Sequence, residues 1–98
     1  MGVCIIMDPD DNVATVLQKT ASEDVLDVLD QWKNHLRSVT AIADIPFAHK
    51  ICLKTVEKGG AIWKFGSVIG KATADIPIGG YAHVHNVVSV AGTPQKDN

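Results

Sequence analysis

No stretch of this 98-residue chain is apolar for long. The opening run, Met1 to Met7, has no basic flank and stops at Asp8-Pro9-Asp10-Asp11, too soon for a secretory core or a membrane span. A cytoplasmic protein with no membrane partner is expected. Charge of one sign is also missing: 9 Lys and Arg stand against 11 Asp and Glu, a net of −2, with no basic patch along the chain. That argues against a nucleic-acid partner. There are two cysteines, Cys4 and Cys52, far apart and each inside an apolar run, which reads as two buried thiols and not a disulfide. None of the glycines falls into a phosphate-cradling loop, and no Ser, Cys or Asp pairs with a His as nucleophile and base. A phosphate loop and nucleophilic catalysis therefore have no support.

What is present is a chain with 46% hydrophobic residues and enough length for one small domain with a limited core. The domain is placed at 1–90. The remainder, Ala91 to Asn98, is polar and reads as a flexible tail or linker. After a first strand, Asp8 to Asn12 form a turn and Val13 to Leu17 a second strand. Between Thr20 and Thr40 the apolar residues Val25, Leu26, Val28, Leu29, Trp32 and Leu36 fall at three- and four-residue spacings, and Thr20 with Glu23 suits a capping box. One short helix around 22–37 is predicted, its acidic first half and basic second half matching the helix dipole. The competing reading is a pair of strands, Val25 to Leu29 and Leu36 to Ile42, joined through Gln31-Trp32-Lys33-Asn34. Strands are further expected over 50–57, 61–65, 68–73 and 81–90, separated by Gly and Pro turns, so the fold class is mainly β.

Two patterns stand out. Ala43-Asp44-Ile45-Pro46-Phe47-Ala48 recurs as Ala74-Asp75-Ile76-Pro77-Ile78-Gly79, which points to two similar turns related by approximate symmetry within one domain. His83-Val84-His85-Asn86 gathers half of the four histidines. On a strand, period-two alternation would send both imidazoles to one face roughly 7 Å apart, able to converge on a metal ion or an anion. With two ligands where metal sites usually want three or four, a complete site would borrow the rest. Asn86 adds an amide for substrate contact. His49 and Lys50, after the first Ile-Pro turn, are candidates for anion binding or for a base beside a substrate. Lys64 and Lys71 read as the solvent face of strands. Trp63 and Phe65, in an aromatic-poor chain, would share a strand face and pack in the core, or else anchor a partner.

Several of these segments carry a resemblance. Ala48-His49-Lys50-Ile51-Cys52-Leu53, Lys58-Gly59-Gly60, Ile62-Trp63-Lys64-Phe65-Gly66, Ile69-Gly70 and Gly79-Gly80-Tyr81-Ala82-His83-Val84-His85-Asn86, in order and preceded by Asp11-Asn12-Val13-Ala14, resemble the SAF-type domain of the altronate and galactarate dehydratase family. The resemblance implies a β-clip fold and a role as small subunit or N-terminal domain of a sugar-acid hydro-lyase whose larger catalytic partner does most of the chemistry. It further implies a divalent metal, iron(II) or manganese(II), shared with that partner, and an aldarate or aldonate substrate converted to a 2-keto-3-deoxy acid. His83 and His85 would be metal ligands and, with Asn86, substrate contacts, and His49 and Lys50 would be catalytic. The related lyases that split sulfite from sulfolactate suggest a carbon–sulfur lyase subunit as a sub-reading; a non-catalytic carbohydrate-binding or assembly module is the rival reading, and a second copy of the chain, as a homo-oligomer, is a further candidate partner. The chain departs from the family pattern at Ala48, where Gly is usual, at Tyr81, where the first of three histidines is usual, and in a longer 20–40 segment.

Overall fold

The computed structural model describes residues 2–90, and the tail assigned to 91–98 lies outside the described residues. Among the described residues there are nine strands and no helix: β1 Gly2–Ile5, β2 Val13–Val16, β3 Val25–Leu29, β4 His35–Thr40, β5 Lys50–Cys52, β6 Ala61–Lys64, β7 Ser67–Ala72, β8 Tyr81–Ala82 and β9 Val87–Ser89. Six of them form one sheet in the order β4-β3-β1-β2-β5-β8, and β6-β7-β9 form another. All neighbours are antiparallel except β1 and β3, which run parallel with Gly2 opposite Leu26 and Ile5 opposite Leu29. The mainly β expectation holds.

The middle strands separate two cores. On β2, Ala14 and Val16 face a cluster with Cys4, Leu26, Val28, Val39, Ile45 and Ile51, while Val13 faces the other, with Cys52, Val56, Ile62, Ala72, Ile76 and Ala82. Alternating side chains on β2 and β5 are thus apolar on both faces, as expected of strands covered on both sides. Both cysteines are free and buried; burial pushes the Cys4 thiol up to about 12 and the Cys52 thiol to about 11, which removes them from nucleophilic chemistry.

One turn is used four times. Thr20, Ile45, Val56 and Ile76 each make an isolated bridge, paired Thr20 with Ile45 and Val56 with Ile76. Three residues after each bridge comes a positive φ, at Glu23 (77°), Ala48 (71°), Gly59 (88°) and Gly79 (83°). The turn closes with an amide donating four residues after the bridge to the carbonyl one after it: Asp24 to Ala21, His49 to Pro46, Gly60 to Glu57 and Gly80 to Pro77. Positive φ at the third residue alone is the type II pattern. Within each pair the bonds are reciprocal. Glu23 N–H donates to Ala41 and Ala48 N–H to Val16; Gly59 N–H donates to Ala72 and Gly79 N–H to Cys52. Side chains add to the crossing, with Asp44 accepting from the Ser22 amide, Asp75 from Lys58 and Thr55 from Ile78. The sequence repeat marks two of these four turns, the two in which Ile-Pro follows Asp.

The segment predicted as a helix over 22–37 is the β3–β4 hairpin, so the competing strand pair is the one that forms. Leu26 and Val28 are buried and Val25 is exposed, a period of two that the apolar spacing also allowed. One tertiary and one local fact decide it: β3 fills the slot beside β1, and the Asp30 carboxylate accepts from the Trp32 and Asn34 amides to turn the chain, with Lys33 at φ 69°. The expected strand over 81–90 is likewise two strands, β8 and β9, with a turn at 83–86 between them. Trp63 and Phe65 do not pack in the core as expected. Phe65 leaves the strand and, with Gly66, forms a two-residue turn with both φ positive, which exposes its ring. The amides of that turn donate to the buried Asp11 carboxylate, Phe65 at 2.9 Å and Gly66 at 2.8 Å, while Asn12 bonds Trp63 and Ala61. Asp11-Asn12 thereby fastens the β6–β7 hairpin to the larger sheet.

Candidate functional site

The outer edge of β8 carries the candidate site. β5 and β8 pair with Ile51 opposite Tyr81 and Lys50 opposite Ala82, so the residues just before β5 meet those just after β8. His49 enters from the turn that ends at strained Ala48. From β8 the chain runs into the 83–86 turn, which Asn86 staples: its Oδ1 accepts from the His83 amide at 2.9 Å, and its Nδ2 donates to the Tyr81 carbonyl at 2.8 Å. The Asn86 amide is therefore committed at both ends to backbone.

His83 and His85 do not share the face of a strand. They flank Val84, which is 81% exposed at the apex of the turn. Tyr81 brings the imidazoles together instead. Its ring is stacked with His83 (centroids 5.6 Å, 11° between planes) and tilted against His85 (5.1 Å), and its hydroxyl lies 2.6 Å from His49 Nδ1. His49 and His83 are themselves in contact at 4.5 Å. The sequence reasoning named all three histidines and noted Tyr81 as a departure from the family pattern, but not as their organiser. The signal was available, because Tyr81 is the one tyrosine and stands at a position where the family pattern has histidine.

The electrostatics are of one sign. Partial burial first, then the nearby His49, Lys50 and His85, hold His83 below its ordinary value of 6.5. Burial first, then Lys64, lowers Lys50. Lys50 and His83 line an open cavity of about 280 Å³ with Ile69, Val84, Val87 and Ser89. The one ion pair among the described residues joins His35 and Asp27 at the distant hairpin. Basic groups without carboxylate partners among the described residues are chemically suited to an anion, since an arriving carboxylate or sulfonate would relieve their mutual repulsion.

Metal binding is a separate question. Among the described residues no three His, Cys, Asp or Glu side chains stand close enough together to hold an ion. The chain's own donors thus do not fit a complete metal site. Nor does any helix among the described residues have the length and apolarity to cross a membrane.

A small two-core β domain that displays a tyrosine-centred imidazole cluster beside a lysine at a sheet edge is the class defined so far. The chain belongs to the altronate/galactarate dehydratase SAF domain family, whose pattern it matches over residues 3–90. It is similar to (2R)-sulfolactate sulfo-lyase subunit alpha of Paracoccus pantotrophus, 44% identical over 48 residues that cover 49% of this chain and 72% of that one. It is also similar to altronate dehydratase of Escherichia coli (37% identical over 76 residues, 78% of this chain and 14% of that one) and of Bacillus subtilis (43% over 49 residues, 50% and 10%). The aligned region is a small fraction of either dehydratase.

Proposed function

We propose that this domain is the small subunit or N-terminal domain of a cytoplasmic sugar-acid hydro-lyase, contributing the β8-edge cluster to an active site completed by a larger catalytic partner. The observation that carries this reading is the convergence of His49, His83 and His85 around Tyr81, with Lys50 beside His83 and no carboxylate among them. Such a surface suits the carboxylate of an aldarate or aldonate. It is too open to enclose one, and the exposed Val84 beside it suits burial by a partner.

In this reading His83 and His85 bind and orient the acid, and Lys50, with its proton loosened by burial, is the candidate base for the proton next to the carboxylate. Loss of the 3-hydroxyl would then give a 2-keto-3-deoxy acid. A divalent iron or manganese ion belongs to the proposal as an ion held chiefly by the partner, with His83 and His85 as contributing ligands; when bound it would supply charge stabilisation for an enediolate. A second reading, a carbon–sulfur lyase subunit, is favoured by the coverage of 72% of a subunit-sized sulfolactate lyase chain.

The test is co-purification with a large lyase subunit supplied as the partner, followed by assay of 2-keto-3-deoxy acid from a panel of aldarates and aldonates and of sulfite from sulfolactate. Each is run with and without iron(II) or manganese(II), for the wild type and for His83→Ala/His85→Ala. Activity that requires this chain and falls at least a hundredfold in the double variant supports a shared site. Activity indifferent to both leaves a binding or assembly module.

A further inference from the structure

We propose that Tyr81 is a positioning residue that fixes His49 in the tautomer with a bare Nδ1 and a protonated Nε2, making His49 a hydrogen-bond donor to an anionic group and neither a base nor a metal ligand. The substrate part of this inference rests on the lyase reading above; the tautomer does not.

The argument begins with the 2.6 Å contact between the Tyr81 hydroxyl and His49 Nδ1. Two arrangements satisfy it: the phenol donates to a bare Nδ1, or Nδ1–H donates to the phenol oxygen. A phenol is a better donor than acceptor, and the bare nitrogen of a neutral imidazole is a better acceptor than a phenol oxygen. The second arrangement would also leave the hydroxyl proton looking for an acceptor, and among the described residues Tyr81 Oη has no other hydrogen-bond partner. Donation from Tyr81 is therefore the arrangement that satisfies both groups.

Neither partner is free to swing away. Tyr81 is held by pairing with Ile51, by the Asn86 side chain on its carbonyl, and by its contacts with His83 and His85. His49 is held by its own amide on Pro46, by its carbonyl on the Val16 amide, and by the His83 ring. With the Nδ1 lone pair occupied, the ring's proton sits on Nε2, and a nitrogen carrying a proton can neither ligate a metal nor accept a proton from carbon. The roles within the cluster then divide: His49 donates, His83 and His85 remain available as ligands, and proton abstraction falls to Lys50. Tyr81, in place of a histidine, is what makes the division.

Long-range proton–nitrogen NMR of the ¹⁵N-labelled 98-residue chain, above the titration range of imidazole, reads the tautomer directly. His49 should show a bare Nδ1 and a protonated Nε2. In Tyr81→Phe the two nitrogens should move toward the mixed signals of a free imidazole, with the amide spectrum still dispersed and His35 unchanged. A protonated Nδ1 in the wild type, or a tautomer unmoved by Tyr81→Phe, overturns the proposal. If Tyr81→Phe does not fold, the wild-type spectrum alone decides. In the reconstituted lyase Tyr81→Phe should raise KM about tenfold or more with a smaller change in kcat, the expected loss of a positioned bond to a charged group; a fall in kcat alone overturns the donor role. A failed lyase reading would show as inactivity of the wild type and leave the NMR result standing.

Discussion

The two crossed turn pairs have the same backbone and different chemistry at one position. In the Val56–Ile76 pair the positive φ falls on Gly59 and Gly79; in the Thr20–Ile45 pair it falls on Glu23 and Ala48. A non-glycine residue there is held against a cost of about 1 kcal/mol. One turn pair is relaxed and the other is strained, and the strained pair delivers His49 to the site. Local strain of this kind persists where the surroundings over-determine it, and here the Ala48 amide and the His49 amide and carbonyl are all bonded.

The comparison can be broken most forcefully at Gly79, where a Cβ would run into the Thr40 carbonyl oxygen. Gly79→Ala should cost about 4 kcal/mol, a large share of the stability of a small domain; a urea midpoint within experimental error of wild type would mean that the turn is not built as described. Next, Ile45→Ala and Ile76→Ala remove equivalent buried side chains, 1% and 2% exposed, one from each pair. Each should cost about 3 kcal/mol. Clearly unequal losses would show that the halves differ in packing as well as in strain.

A smaller and cleaner contrast uses mirror substitutions. Nothing lies within 4 Å of a Cβ built on Gly59, so Gly59→Ala tests the backbone alone and should destabilise by about 1 kcal/mol, while Ala48→Gly should stabilise by about the same amount. If Ala48→Gly fails to raise the midpoint, the strain assigned to that turn does not exist. The smallest effect concerns pH. Because the His83 value is lower in the folded protein than its ordinary 6.5, the unfolded chain takes up that proton first as pH falls. Stability should be full above 6.5 and decline as pH drops below it, and His83→Gln should flatten the decline. An identical pH dependence in the variant would remove His83 as its source.

Much of this was readable from residues alone. Alternating apolar positions and Gly or Pro punctuation located β1, β2, β6 and β7 to within a few residues, and His49, His83 and His85 were picked out by type and placement. The failures have physical causes. Val25, Leu26, Val28 and Leu29 satisfy both periods, and what chose the strand was a vacancy beside β1, a fact about residues more than twenty positions away. The turn at 83–86 hides in an otherwise strand-like run because one side chain, Asn86, caps it. The Thr20 turn shares no residue type, position for position, with the Ile-Pro copies, and the Val56 turn shares only the closing Gly59-Gly60 with Gly79-Gly80, since crossed backbone bonding, not side-chain identity, defines the repeat.

The Asp11 carboxylate has a consequence for the order of events during synthesis. It is buried in the finished protein, and two of its bonds go to amides 54 and 55 residues downstream. A carboxylate placed in the interior so early in the chain has only the local Asp8 amide as a partner until the β6–β7 hairpin has emerged. Until then it must stay hydrated, which keeps the neighbouring Val13 and its core open as well. Closure is thus timed to the arrival of the second sheet, and such long-range pairing makes for slow folding.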